Sequence, residues 1–246
     1  MNNTAHLILQ GKGGVGKSLA SSMLAQYMQA RNFRPICGDT DPVNTTFYQI
    51  KGLNVALVPI TENGTVIQRL FDPLFESIIS AEHPVIVDNG ASTFLPMLKF
   101  LKSNLILDTL EQFGKKTYIH TIITGGQAKD DTANGLISLI EMIKESGTNT
   151  KIVVWNNEFW GTPLFDGKTL EEMSWIKKNN DVIQGIVSVI DRKSDAFSTD
   201  IRLMTENHMT YNDVKESDMF GLIAKSRIFR VFNDVYDELD KVFGKE

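Results

Sequence analysis

Gly11-Lys12-Gly13-Gly14-Val15-Gly16-Lys17-Ser18 decides how this chain is read. The octet satisfies G-x-x-x-x-G-K-[ST], the pattern of a phosphate-binding loop. Its glycines let the backbone curl into a nest whose N–H groups point at phosphate oxygens. A helix that starts there adds its positive dipole end and its unpaired N–H groups. In such a loop Lys17 bridges the β- and γ-phosphates and the Ser18 hydroxyl ligates Mg²⁺. The flanks supply the required context. His6–Leu9 reads as a strand before the loop, and Leu19, Ala20, Met23, Leu24, Tyr27 and Met28 share one face of a helix over Ser18–Ala30.

Further out, short apolar runs alternate with periodic segments. Strands are predicted at Arg34–Gly38, Val55–Val58, Pro84–Val87, Tyr118–Ile123, Ile152–Trp155 and Ile186–Ile190. Helices are predicted over Thr65–Ala81, Asp131–Glu145, Leu170–Lys178 and Ile223–Phe243. This alternation predicts an α/β fold with a mainly parallel sheet and helices on both faces, the P-loop NTPase architecture. With no internal repeat, low-complexity tract or Pro/Ser-rich linker, one domain over residues 1–246 is expected. Asp191–Asp213 is polar and reads as loops with one short helix. Asp88 closes the run Val85-Ile86-Val87, while Asp39 and Asp41 follow Arg34–Gly38. Ligands gather at the carboxyl ends of strands in open parallel sheets, so these three carboxylates are expected on the loop's side. Asp88 is placed to serve Mg²⁺ through water.

Composition narrows the class. The 246 residues carry 25 Lys plus Arg against 30 Asp plus Glu, a formal charge of −5. That balance disfavours a protein that coats nucleic acid through a strong positive field. The one cysteine, Cys37, excludes a disulfide framework, a Cys-rich zinc site and a four-Cys cluster built by one chain. His6, His83, His120 and His208 show no ligand spacing, so no metal is assigned to them. The start lacks a basic region followed by a long apolar run, and no apolar stretch is long enough to span a bilayer, so a cytoplasmic location is expected.

The strings Lys12–Ser18, Asp39-Thr40-Asp41-Pro42 and the strand ending at Asp88 resemble the three signatures of the ParA/MinD (SIMIBI) deviant Walker A ATPases. LQGKGGVGKS at Leu9–Ser18, DTDPVNTTF at Asp39–Phe47, VDNGAS at Val87–Ser92, HTIITGGQA at His120–Ala128 and VVWNNEFWG at Val153–Gly161 also resemble plasmid conjugal-transfer TraL proteins. The resemblance implies an ATP-binding and ATP-hydrolysing switch that uses Mg²⁺ and forms a homodimer when ATP-bound. Lys12 matches the signature lysine that reaches the opposing subunit's nucleotide. Gly11 to Ser18 hold the phosphates, with Lys17 and Ser18 in the phosphate and Mg²⁺ roles. Asp41 matches the residue that positions the attacking water, and Asp39 the strand-end carboxylate beside the metal. Asp88 matches the acidic residue of the second switch. Asn156 or Asn157 stands where the family places an Asn near the adenine; the adjacent pair leaves the choice open. The implied cellular role is in plasmid conjugation or its regulation, with a protein partner of the transfer or partition machinery.

Two departures fall in the ATP-responsive elements. Val43 stands where partition members usually carry Gln, and Asn89-Gly90-Ala91 replaces their two prolines, which opens the hydrolysis rate to question. The C-terminal stretch places Ile228, Phe232, Val235, Leu239 and Val242 on one helical face. Its acidic balance favours packing against the sheet over a membrane-surface role. Lys225, Arg227 and Arg230 form at most a remnant basic patch, so DNA or membrane contact is expected to be weak or indirect. Lys99, Lys102, Lys115 and Lys116 flank the helix after the second switch as a partner-docking face or as solvated charge. Trp155, Phe159 and Trp160 cluster around the Asn pair, to wall the base or to pack the core. The alternatives are an ATP-dependent small-molecule enzyme resembling dethiobiotin synthetase and a scaffold that binds nucleotide with negligible hydrolysis.

Overall fold

The structure is a computed structural model of the chain, and residues 1–244 are described. Thr4–Ile8 forms β1 and Lys17–Ala30 forms α1, with the phosphate-loop octet leading from one into the other. Ile36–Asp39 is β2, Ala56–Leu57 is β3, and Thr61–Glu62 (β4) pairs with Thr65–Val66 (β5) in a small antiparallel ribbon. Then come α2 (Asp72–Ser80), β6 (Val85–Asp88), α3 (Phe94–Ser103), α4 (Ile106–Gln112), β7 (Lys116–Thr124) and α5 (Lys129–Ser146). The remainder is β8 (Lys151–Asn157), α6 (Ser174–Lys178), β9 (Ile183–Val189), α7 (Asp195–Glu206), α8 (Tyr211–Glu216) and α9 (Leu222–Phe243).

Seven strands make one parallel sheet in the order β3-β2-β6-β1-β7-β8-β9. The loop after β1 therefore sits where the strand order reverses, which is where ligands bind in open α/β sheets. Strand alternation sorts the side chains into two cores. Ala5, Leu7, Val85, Val87, Ile119, Ile152 and Val154 face the layer that holds α2, α3, α4 and α5. Ile8, Cys37, Ile86, Ile122, Val153 and Trp155 face α1, α8 and α9. The expected face of α9 is buried, with Ile228, Phe232, Val235 and Leu239 at 0–1% exposure. Each such side chain contributes roughly 1.5–3 kcal/mol by leaving water, so this helix is held by the second core.

Several elements differ from the sequence reading. Thr65–Ala81 is interrupted, with β5 and a 3₁₀ turn at Gln68–Phe71 before α2. Asp72 followed by Pro73 provides the helix start, since proline is tolerated in the first turn but not inside a helix. Asp191–Asp213 contains the twelve-residue α7 and the opening of α8. Its polar composition hid a narrow apolar stripe, of which Met204 is fully buried.

Candidate functional site

Register places the carboxylates. Asp39 of β2 and Asp88 of β6 are directly paired, and Ile8 of β1 is level with Asp88. Period-two alternation turns both carboxylates toward α1, so they meet the loop's helix rather than the opposite core. Ser18 Oγ donates to Asp88 Oδ2 at 2.6 Å and Ser21 Oγ to Asp88 Oδ1 at 2.8 Å. Burial pushes the Asp88 carboxyl up to about 7, with the Asp39 charge adding to the rise and the two serine hydroxyls opposing it. Asp39 is also raised by burial, against which the backbone N–H groups of Asp41 (2.9 Å) and Tyr48 (3.0 Å) pull its pKa down.

The loop has the geometry its glycines require. Gly14 and Gly16 have φ of 72° and 101°, the left-handed region where a side chain is strained. No side chain caps α1 at this end, so its leading N–H groups and dipole are directed at the cavity described below. Lys17 is buried and donates to the Lys12 carbonyl at 2.9 Å. Burial lowers its pKa, while the charges of Asp88 and Asp41 raise it. Lys12 points the other way. Its Nζ donates to Asp131 Oδ2 of α5 at 2.7 Å, beside a separate small hollow that Gln10, Gly11 and Phe94 also line. Gln10 was not singled out from the sequence, yet it anchors this half of the loop. Its fully buried amide donates to the carbonyls of Ile122 (2.9 Å) and Thr132 (3.2 Å).

Asp41 sits on a tight turn in which its Oδ1 accepts from the N–H groups of Val43 (2.9 Å) and Asn44 (3.0 Å). Gly90, one of the departures noted above, now has a steric reason. A Cβ there would stand 2.7 Å from Asp41 Cγ and 2.9 Å from its Oδ2. Asn89 is buried behind it, its Oδ1 accepting from Thr40 Oγ1 (3.0 Å) and Thr93 Oγ1 (2.9 Å). The segments that follow β2 and β6 are thereby packed against each other.

A cavity of about 600 Å³ opens over the loop, walled by Gly13, Gly14, Gly16, Lys17 and Ser18 on one side and by Asp41 and Asn44 on another. It continues past Asn157, Phe159 and Trp160 to Ile190–Arg192 and α7. Of the Asn pair, only Asn157 lines it. Alternation turns Asn156 to the other face of β8, where its Nδ2 reaches Ser188 Oγ at 3.5 Å. Both ends of the Asn157 amide are engaged: Nδ2 donates to the Val15 carbonyl at 2.9 Å, and Oδ1 accepts from Phe159 N–H at 3.2 Å. Trp155 belongs to the core instead. Its Nε1–H donates to His120 Nδ1 at 2.9 Å, and His120 Nε2 lies 2.9 Å from His6 Nδ1. Trp155 can only donate, so His120 carries its proton on Nε2 and gives it to His6.

The basic groups do not assemble into free patches. Arg227 pairs with Asp200 at 2.5 Å, and Lys225 donates to the Lys215 carbonyl at 2.6 Å. Lys115 is buried against Ala81 and Asn3, so the four lysines near α3 and α4 do not share one face. Cys37 is buried, and burial pushes its thiol up to about 12, which leaves it unreactive. Among the described residues no helix is long and apolar enough to cross a membrane.

A phosphate nest at the sheet's switch point, with strand-end carboxylates in register beside it, defines a nucleotide-binding P-loop protein. The chain belongs to the CobQ/CobB/MinD/ParA nucleotide binding domain family (CbiA), which it matches over residues 6–204. It is 34% identical over 235 residues to Protein TraL of Escherichia coli, covering 96% of both chains. Among solved structures it superimposes on a chain of the MinC:MinD cell division protein complex of Aquifex aeolicus with a TM-score of 0.55, covering 99% of this chain and 96% of that one at 15% identity. MinD of Pyrococcus horikoshii OT3 complexed with Mg-ADP gives 0.52 at 14% identity, over 98% of this chain and 97% of that one. At those identities the structures share the fold.

Proposed function

We propose that the protein is an ATP-driven switch: the whole chain acts as one domain that binds ATP with Mg²⁺, dimerises face to face and hydrolyses the β–γ phosphoanhydride to separate. The observation that carries this reading is the convergence of Lys17, Ser18, Asp39, Asp41 and Asp88 on one loop, with Lys12 directed away from its own cavity.

Each residue has work that its position suits. The amides of Gly13 to Ser18 take the phosphate oxygens, and Lys17 exchanges the Lys12 carbonyl for them. The donors beside Ser18 are hard oxygens, and burial raises the Asp88 carboxyl to about 7 even beside Lys17, so a bound cation would favour its charged form. This set fits Mg²⁺, which keeps several waters and takes few protein ligands. Ser18 would hold it directly, and Asp88 and Asp39 through water. Bound there, Mg²⁺ would neutralise phosphate charge. Asp41, its Oδ1 held by two backbone N–H groups, has Oδ2 available to orient a water for attack on the γ-phosphorus. Lys12, 44% exposed in its pair with Asp131, is free to exchange that partner for a phosphate across a dimer seam.

The conjugal-transfer role follows from the TraL similarity, with a protein partner of the transfer or partition machinery and the cytoplasm as its place of action. DNA or membrane contact is expected to be weak or indirect, because the chain is acidic overall and Lys225 and Arg227 are already engaged. Isothermal titration with ATP and Mg²⁺ tests the binding step. Wild-type protein should bind, and Lys17→Ala should lose roughly 10- to 100-fold, as expected for removing charged hydrogen bonds. Unchanged affinity in Lys17→Ala would reject the loop as the site.

A further inference from the structure

Phe159 and Trp160 are exposed aromatic side chains that line the cavity. They belong to neither core, they are 49% and 57% exposed, and both line the wall of the nucleotide cavity beyond Asn157. Their rings stand 4.8 Å apart at 90°, so one offers a face beside the other's edge. Exposed aromatic surface of this size costs solvation free energy and is not needed for packing.

The turn that carries them is fixed from three sides. Asn157 caps it through Oδ1, and Gly161 N–H closes it on the Glu158 carbonyl at 2.8 Å. Glu158 Oε2 accepts from Asp191 N–H at 3.1 Å, tying the turn to the loop after β9. Gly125 lets the Gly161 carbonyl approach so closely that any Cβ at Gly125 would clash with it. Asn157 also reaches the Val15 carbonyl, so the aromatic pair is held at a set distance from the phosphate nest. A ligand that stacks here does not have to order the loop first.

We infer that Phe159 and Trp160 form the stacking platform for the nucleobase, and that Asn157 is a positioning residue for that platform rather than a reader of the base edge. The inference rests on the nucleotide reading above and names how the far end of the same ligand is held. The ligand is a purine nucleotide, because a bicyclic base covers more of the platform than a pyrimidine does. Stacking on an aromatic side chain is sensitive to the area of the π-face and tolerant of the groups on its edge.

Titration with ATP and with inorganic tripolyphosphate, both with Mg²⁺, separates the two ends of the site. Phe159→Ala and Trp160→Ala should each weaken ATP by about tenfold and leave tripolyphosphate unchanged. Trp160→Phe should keep most of the ATP affinity. Tryptophan emission should respond to ATP and not to tripolyphosphate, and that response should disappear in Trp160→Phe. CTP should bind more weakly than ATP to the wild type, with the gap closing in the alanine variants. Both residues are half exposed, so the thermal midpoint should not move and serves as the folding control. Alanine variants that bind ATP like the wild type, or that lose ATP and tripolyphosphate equally, would overturn the platform. A wild-type protein that binds neither ligand would instead overturn the nucleotide reading itself.

Discussion

Gly90→Ala is the sharpest perturbation the structure offers, because it touches one carboxylate and almost nothing else. Gly90 has φ −62° and ψ 152°, a conformation open to alanine, so the backbone pays no penalty. The added Cβ would lie 2.7 Å from Asp41 Cγ, 2.9 Å from Oδ2 and 3.1 Å from Cα. Ordinary contact begins near 3.4 Å, so the carboxylate must retreat by about 0.7 Å. It cannot do so by rotation alone, since Oδ1 is held by the N–H groups of Val43 and Asn44. Misplacing a group that orients a reactant by such a distance costs on the order of 100-fold in rate. The Gly13–Ser18 wall of the cavity is untouched. Steady-state phosphate release and nucleotide titration on the same preparation give the check. Turnover should fall by about 100-fold with ATP affinity unchanged, and Asp41→Ala should add little to the loss because both act on one group. Wild-type turnover in Gly90→Ala would refute the assignment of Asp41 to the water.

Other consequences follow from named contacts. Asp131→Ala removes the acceptor that competes for Lys12; with one exposed pair released per subunit, the ATP-driven dimer should tighten by about two- to thirtyfold in sedimentation equilibrium. An unchanged dimer constant would show that Lys12 does not leave Asp131. Val15 and Asn157 couple the loop to the turn that bears Phe159, so Asn157→Ala should weaken ATP and tripolyphosphate together, in contrast to the aromatic variants. Acid stability should depend on the buried histidines. Burial lowers His120 to about 3, so the folded state refuses a proton that the unfolded chain takes near 6.5, and stability is lost as pH falls from about 6.5 toward 3. This amounts to at most roughly 5 kcal/mol. Asp88, raised to about 7, acts in the opposite sense, favouring the fold at low pH and losing that contribution as pH rises from about 4 to 7. Denaturant midpoints between pH 7 and 4 should therefore flatten in His120→Gln relative to wild type; equal slopes would place the acid sensitivity elsewhere.

The parts of this site legible in the sequence are those set by local chemistry. A glycine-rich turn between a strand and an amphipathic helix declares itself over eight residues. Asp39 and Asp88 follow apolar strands whose alternation already turns them to one face. The Asn pair was open for a physical reason: adjacent strand residues face opposite sides, and only the register of β8 against its neighbours tells which side holds the cavity. Contacts between distant positions left no pattern at all. Lys12 finds Asp131 across 119 residues, and His6 finds His120 across 114, because separate strands and helices are brought together by the sheet order. Gly90 was visible as a departure, but its reason was not, since it lies in the space that the Asp41 carboxylate occupies. Only a short helix is legible between Asp191 and Asp213, because the mean composition of α7 is polar and its buried stripe is thin.

The central claim, that nucleotide state sets the assembly of this chain, is tested most directly by light scattering on a sizing column. Asp41→Ala with ATP and Mg²⁺ should elute at twice the mass of the same protein with ADP or without nucleotide, and Lys12→Ala in that background should return it to the lower mass. A single mass in all three nucleotide conditions, for Asp41→Ala as for wild type, would contradict the account.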